Sequence, residues 1–333
     1  MKFGLKKTAH SSQGEEIAQD VKKEKGKRKS IVLTPSIVVL ATYFLLLFSK
    51  IIDIAIINRE NEYYSVILLQ LMIFLLPGAI WCKFSGEDYI KGLRLRLPKP
   101  RTLLLISSAA LLMISGGLLM SVLFGGLNAL SKNFSLYDTF ISKTDGSLPN
   151  KLYLFAAYAI IPAICEEFIF RGILCYEYEN GGVMRAVVFS SLFFALLHFN
   201  PINILVYLFS GIILALVIYA SRSLIGAMIT HFLYNIFGLF GQPYMDILYR
   251  ITGSSNFFLF LVAFCFLLSG AIFCHQAAKL YKKYLYEGVS SDYRKPVLNS
   301  KAQIRASYLS VVKEPSTIAC FVFYIIASII YIF

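Results

Sequence analysis

Apolar residues fall in nine runs along this chain: Ile31–Ile57, Tyr64–Trp81, Leu103–Leu130, Leu152–Leu174, Met184–Phe199, Ile202–Ala220, Leu224–Phe240, Phe257–Phe273 and Thr317–Phe333. Most approach or exceed the ~20 residues that a helix needs to cross about 30 Å of hydrocarbon. Met184–Phe199 and Thr317–Phe333 are only just long enough, so the pattern predicts eight or nine spans in an all-α, polytopic transmembrane helical bundle. Two polar stretches interrupt it. Residues 1–30 hold nine Lys/Arg and four Asp/Glu with hardly any apolar run, the pattern of a disordered, basic cytoplasmic tail. No short apolar stretch with a small-residue cleavage site follows its basic start, so it is not expected to be a cleaved signal peptide. The 41 residues from Gln276 to Ser316 predict a basic cytoplasmic connection, helical at its start. The expected organisation is therefore a membrane bundle over 31–275, the connection over 276–316 and a last span over 317–333. There is no separate soluble domain and no internal repeat of fixed period.

Composition agrees: 57% of the residues are hydrophobic and only 15% charged, which excludes an ordinary soluble domain. The net charge of +13 sets topology. Nine basic residues in 1–30, six in 83–102 (Lys83, Lys91, Arg94, Arg96, Lys99, Arg101) and eight in 276–316 alternate with sparse loops. The positive-inside rule then puts the amino terminus in the cytoplasm and, with nine spans, the carboxyl terminus outside. Scattered over loops, without aromatic stacking surfaces, these charges suit anionic lipid head groups as partners and not nucleic acid. The six cysteines lie within or beside apolar runs with no CxxC pair, as small buried hydrophobes do. Cys165 adjoins an acidic pair, but apolar surroundings raise a thiol's pKa and dull it as a nucleophile.

Three fragments inside the apolar sequence hold ionisable groups: Glu166-Glu167-Phe-Ile-Phe-Arg171, Phe194-Ala-Leu-Leu-His198 and His231-Phe-Leu-Tyr-Asn235. Charges in hydrocarbon cost from roughly 2.5 to well over 10 kcal/mol, so such groups mark function by default. Glu167 and Arg171, four apart, share a helical face and can pair. Glu166 points about 100° away and has no partner at helical spacing. Pro162 lies just upstream and breaks a helix interior, so the span is expected in two pieces with the acidic pair near a new helix start.

Each fragment has a purely structural reading: an ion pair pinning helices, an interfacial histidine near Pro201, hydrogen-bonded glue between spans. That reading leaves Glu166 unexplained. Two of the four histidines fall in these fragments, on different spans from the acidic pair and from each other. Together the groups supply hydrolysis: glutamate and histidine hold and deprotonate a water, and a second histidine with an asparagine donates hydrogen bonds to the oxyanion. No Ser or Cys stands with a base in a nucleophile arrangement.

EExxxR, then FxxxH, then HxxxN, in that order on successive membrane helices, resembles the CAAX-protease and bacteriocin-processing family of intramembrane endopeptidases, which includes the type II CAAX prenyl proteases and the bacterial Abi proteins. The match covers Glu166, Glu167 and Arg171, then Phe194 and His198, then His231 and Asn235, within about residues 150–240. The run EEFIFRG is similar to the family's bacterial form. The resemblance implies a multi-pass protease of the cell membrane acting on a hydrophobic or lipidated peptide or protein. In it Glu166 is the general base, His198 helps position the water, His231 and Asn235 form the oxyanion hole, and Glu167, Arg171 and Phe194 support the site. Some members have been labelled metalloproteases, and Glu166, His198 and His231 would be the zinc ligands in that case. The HExxH spacing is absent, so no cofactor is the preferred expectation.

Two other classes compete. A non-proteolytic bacteriocin-immunity or scaffold protein would keep the cluster for structure. A transporter would use it to relay protons, but inverted repeats are missing. One tension concerns depth: a straight ladder of spans puts Glu166 about 12 Å and His231 about 10 Å from the inner side, with His198 near the outer end of the fifth span.

Overall fold

The computed structural model describes residues 34–55, 64–85, 89–125, 135–288 and 300–332. The basic tail expected over 1–30 lies outside them. Every regular element among the described residues is helical, as a chain in lipid requires, because a helix satisfies its own backbone groups. The principal helices follow the apolar runs: α1 Ser36–Ala55, α2 (Tyr64–Gln70, Leu71–Leu75 and Leu76–Phe84 in succession), α3 Leu103–Gly125, α4 Leu148–Gly181, α5 Val183–Leu197, α6 Ile204–Ser221, α7 Leu224–Phe240, α8 Ser255–Tyr286 and α9 Pro315–Ile332.

Five described helices are long and apolar enough to cross a membrane. The number rises to seven if two bent pairs, Leu224–Phe240 with Pro243–Thr252 and Lys301–Val312 with Pro315–Ile329, each count as one span. Ser36–Ser49 and Val183–Leu197 are shorter apolar helices. At 1.5 Å per residue the 15 residues of α5 rise only about 22 Å. The chain is thus a helical membrane bundle, with α5 short inside it. α3 packs against α6, α7 and α8; α5 packs against α6 and α9 against α1.

Contacts gather the 94–101 stretch, the turn between α6 and α7 and the ends of α4 and α8 at one end of the bundle. The Leu224 N–H donates to the Arg94 carbonyl at 2.9 Å, and the Ser223 hydroxyl donates to the Arg96 carbonyl. The buried Arg94 guanidinium holds Glu179, near the end of α4, at 2.9 Å. Arg101 meets Glu287 at 3.4 Å, and Arg222 lies 3.9 Å over the Tyr284 ring. Ser36, which opens α1, bonds Glu314 at 2.5 Å and Ser316 at 2.6 Å, next to the start of α9. α1 and α9 therefore leave their shared end in the same direction. The expected connection after Gln276 is more helical than its polarity suggested: α8 continues to Tyr286, and Lys301–Val312 forms a further helix opened by a Ser300–Gln303 capping box.

Two of the helices at the site are not uniform. α4 passes through π turns at Ala156–Ile160 and Phe168–Leu174, and α2 through one at Leu71–Leu75. Pro162 does not break α4, contrary to expectation. It occupies the second position of the α segment that follows a π turn, and Pro77 does the same in α2. A proline lacks the N–H for an interior α bond and crowds the carbonyl four residues back. The wider i→i+5 turn relieves both, so the helix stays continuous.

Candidate active site

The acidic pair sits midway along α4. Glu167 and Arg171 are both fully buried, and Arg171 Nη1 donates to Glu167 Oε1 at 2.8 Å, the i,i+4 contact that their spacing predicts. The same oxygen accepts from His231 Nδ1 of α7 at 2.9 Å. Arg171 does more than pair: Nη2 donates to the Gly211 carbonyl of α6 at 3.0 Å, and the guanidinium lies 4.3 Å over the Phe194 ring of α5. Arg171 therefore ties α4, α5 and α6 together at the level of the site.

Glu166 differs from its neighbour. It is half-buried and makes no hydrogen bond among the described residues, whereas Glu167 is bonded through Oε1; the Oε2 atoms of both are closed off from solvent without a partner. The charges that act on it belong to His231, Glu167 and Arg171. Glu167 is paired with Arg171, whereas Glu166 makes no ion pair among the described residues, so it is the carboxylate of the cluster without a bonded cation.

The depth of His198 is explained by a hairpin. α4 does not end at Leu174 with its apolar run; it continues through the buried polar residues Glu177 and Glu179 to Gly181. Gly182 then turns the chain at φ 107°, a conformation that favours glycine, and α5 starts at once. Residues equidistant from this turn come to equal depth. Phe170 and Phe194, each twelve from Gly182, meet with ring centroids 5.5 Å apart, and Cys175 meets Ser190 at 3.3 Å. Glu167 and His198 are equidistant to within one residue, so His198 lies at the level of the acidic pair. Glu166 stands about 22 Å from the end of its helix, not 12 Å.

Phe194 occupies the centre. Its ring meets His198 at 5.0 Å and His231 at 5.8 Å between centroids, edge to face in both cases. His198 caps the C-terminus of α5, and its Nδ1 lies 2.9 Å from the Phe194 carbonyl. A carbonyl only accepts, so Nδ1 carries the proton and Nε2 the lone pair. The Tyr207 ring of α6 stacks on the imidazole at 3.8 Å and 14°. Sequence reading missed Tyr207, one tyrosine among many in apolar runs; its nine-residue distance from His198 gives no periodic signal. Asn235, one turn beyond His231 on the same buried face of α7, has Nδ2 3.4 Å from the Ala159 carbonyl in the first π turn of α4.

The expected roles of His231 and Asn235 need one adjustment. His231 Nδ1 is engaged with Glu167, leaving Nε2 as its other polar atom; Nε2 donates a hydrogen bond only when the ring is an imidazolium. Glu166, His198 and His231 do not gather as a ligand set: among the described residues no group of three His, Cys, Asp or Glu side chains could hold a metal ion. The donors do not fit a catalytic zinc, which takes three protein ligands at about 2.0–2.2 Å, so no step is routed through one.

Gly211 shows how tightly this site is built. An added Cβ would sit 3.0 Å from the Cα of Ser191, tighter than side chains ordinarily pack, so glycine here lets α5 and α6 approach closely and presents its carbonyl to Arg171. Gly211→Ala is expected to destabilise by about 1–3 kcal/mol through overpacking. Melting in detergent checks this; an unchanged midpoint would show that the two helices have room to separate.

Fold and site together define a class: a polytopic helical membrane protein whose ionisable groups are buried between helices and collected at one depth. Within it, residues 148–237 match the Rce1-like family model, described as type II CAAX prenyl endopeptidase Rce1-like. The matched stretch runs from the start of α4 into α7 and contains all three motifs, which bears out the resemblance to the CAAX-protease family and supports a CAAX-type membrane protease. No curated protein and no solved structure matches the chain.

Proposed function

We propose that the chain is an intramembrane endopeptidase that hydrolyses a peptide bond in a hydrophobic or lipidated substrate by glutamate-activated water. The observation that carries this reading is Glu166: a carboxylate with no ion pair or hydrogen bond among the described residues, next to Glu167, whose Oε1 is already held by Arg171 and His231. Glu166 takes a proton from water as the oxygen attacks the scissile carbonyl carbon. His198, with Nε2 as acceptor, holds the same water. His231 as imidazolium and the Asn235 amide donate to the oxyanion. When the C–N bond breaks, the proton on Glu166 passes to the departing amine. Glu167 orients His231 by accepting from its Nδ1–H, as a carboxylate does for an imidazole in hydrolytic triads.

The basic end of the bundle faces the cytoplasm in this reading, and the protein resides in the cell membrane. The test is a cleavage assay in detergent with prenylated and hydrophobic leader peptides. Cleavage lost in Glu166→Ala, His198→Ala and His231→Ala supports the reading. Cleavage undiminished in Glu166→Ala sinks it, and a self-protection phenotype that survives Glu166→Gln points to an immunity scaffold instead.

Two further outcomes follow from the geometry. Chelators are expected to leave cleavage intact and the purified protein to carry no stoichiometric zinc; one zinc per chain, lost and restored together with activity, would overturn the metal-free mechanism. Tyr207→Leu removes a stacking face worth about 1 kcal/mol and is expected to lower kcat by about three- to tenfold. Tyr207→Phe, which keeps the stacked ring, restores it if Tyr207 acts by positioning His198.

A further inference from the structure

Between Val66 and Cys82, Gln70 is the only residue with an amide, hydroxyl or charged side chain. It lies outside the segment matched by the family model. Its Oε1 is buried with no hydrogen-bond partner among the described residues. An unsatisfied amide costs about 1–3 kcal/mol by mutational measures, and more where no water can reach it.

The packing of α2 on α4 fixes the level of Gln70 in the bundle. The two helices run in the same direction: Tyr64–Gln70 packs against Ile161–Glu167, Leu71–Leu75 against Ile161–Glu167 and Phe168–Leu174, and Leu76–Phe84 against Phe168–Leu174. Gly78 faces Phe168 and Ile173 closely enough that a Cβ there would meet their side chains at 2.5 and 3.1 Å. Eight residues back along both helices, Gln70 comes opposite the stretch from Ile160 to Cys165, about one turn or 5–6 Å of rise from Glu166. All three π segments among the described residues lie in these two helices, one of them starting directly after Gln70. Such turns recur at functional sites.

The chemistry of the proposed reaction needs a group of this kind. A peptide bond is attacked in an extended segment, and an extended segment inside a membrane exposes N–H and C=O groups that lipid cannot satisfy. A carboxamide offers both an acceptor and donors, which match one peptide unit. We propose that Gln70 binds the substrate backbone beside the scissile bond, with Oε1 accepting a substrate N–H. This rests on the proposed protease reading and adds a binding residue from a helix outside the motif-bearing core.

The test uses the full-length protein in detergent and a fluorescent farnesylated CAAX-type peptide. Binding is read by anisotropy in the Glu166→Gln background, cleavage in the parent background, and melting in both. Gln70→Leu and Gln70→Met are expected to weaken binding and raise KM by about five- to tenfold, the loss of one hydrogen bond. They should leave kcat within about threefold, and melting should stay unchanged or rise, since an orphaned amide has been removed. Binding and cleavage equal to the parent in both variants overturn the assignment. A lowered melting point in both, with lost activity, also overturns it, because the amide is then structural glue. If the parent neither binds nor cleaves the peptide, the protease reading itself fails and this inference with it.

Discussion

Replacing Glu166 by glutamine is expected to reduce peptide hydrolysis by about 10²–10⁴-fold, the range for loss of a positioned general base, while the protein folds and inserts as before. The expectation rests on how little structural work this carboxylate does. It makes no hydrogen bond or ion pair among the described residues, whereas Glu167 beside it holds both Arg171 and His231 through Oε1. Glutamine keeps the volume, removes a charge that is costly between helices, and cannot accept the proton of water. Melting midpoint, membrane yield and cleavage of a prenylated peptide check it together. A Glu166→Gln protein that fails to fold, or one that still cleaves at the parent rate, would reverse the roles given to the two glutamates.

The second large effect is one of stability. Arg171→Ala is expected to cost about 3–5 kcal/mol, because it leaves the Glu167 carboxylate buried with a single remaining partner. It also deletes the donor to the Gly211 carbonyl and the cation over Phe194, so α4, α5 and α6 all lose a common tie. A lower melting midpoint and reduced yield should accompany lost activity. The double replacement Glu167→Leu with Arg171→Met separates charge from packing. Well-packed apolar residues can stand in for a buried ion pair at little or no cost, so stability should largely return while activity does not, since His231 loses the carboxylate that orients it. If Arg171→Ala melts like the parent, the pair contributes nothing to the bundle and the residue's place in the site is wrong.

The pairing of Glu167 with Arg171 was legible because it is local: four residues on one helix face need no tertiary information. The depth of His198 was not. Apolar runs mark the edges of spans, and the run of α4 stops at Leu174, but the helix continues to Gly181 because Glu177 and Glu179 are satisfied inside the protein by Tyr89 and Arg94. A hydropathy pattern treats those glutamates as solvent-facing. The effect of Pro162 was misread for a related reason, since a proline announces a missing α bond but not the π turn that accommodates it.

The sequence by itself determined the class of the molecule and the inventory of its site. Long apolar runs permit only helices in lipid, and Glu166, Glu167, Arg171, Phe194, His198, His231 and Asn235 stand out because polar groups there are costly enough to need a reason. The tertiary structure decided which of these groups touch. The Gly182 hairpin brings α5 level with the acidic pair, Gly211 lets α6 close on Arg171, and His231 finds Glu167 across 64 residues of chain. Those contacts depend on where one helix rests against another, and that is fixed by packing between faces distant in sequence, which no local spacing encodes.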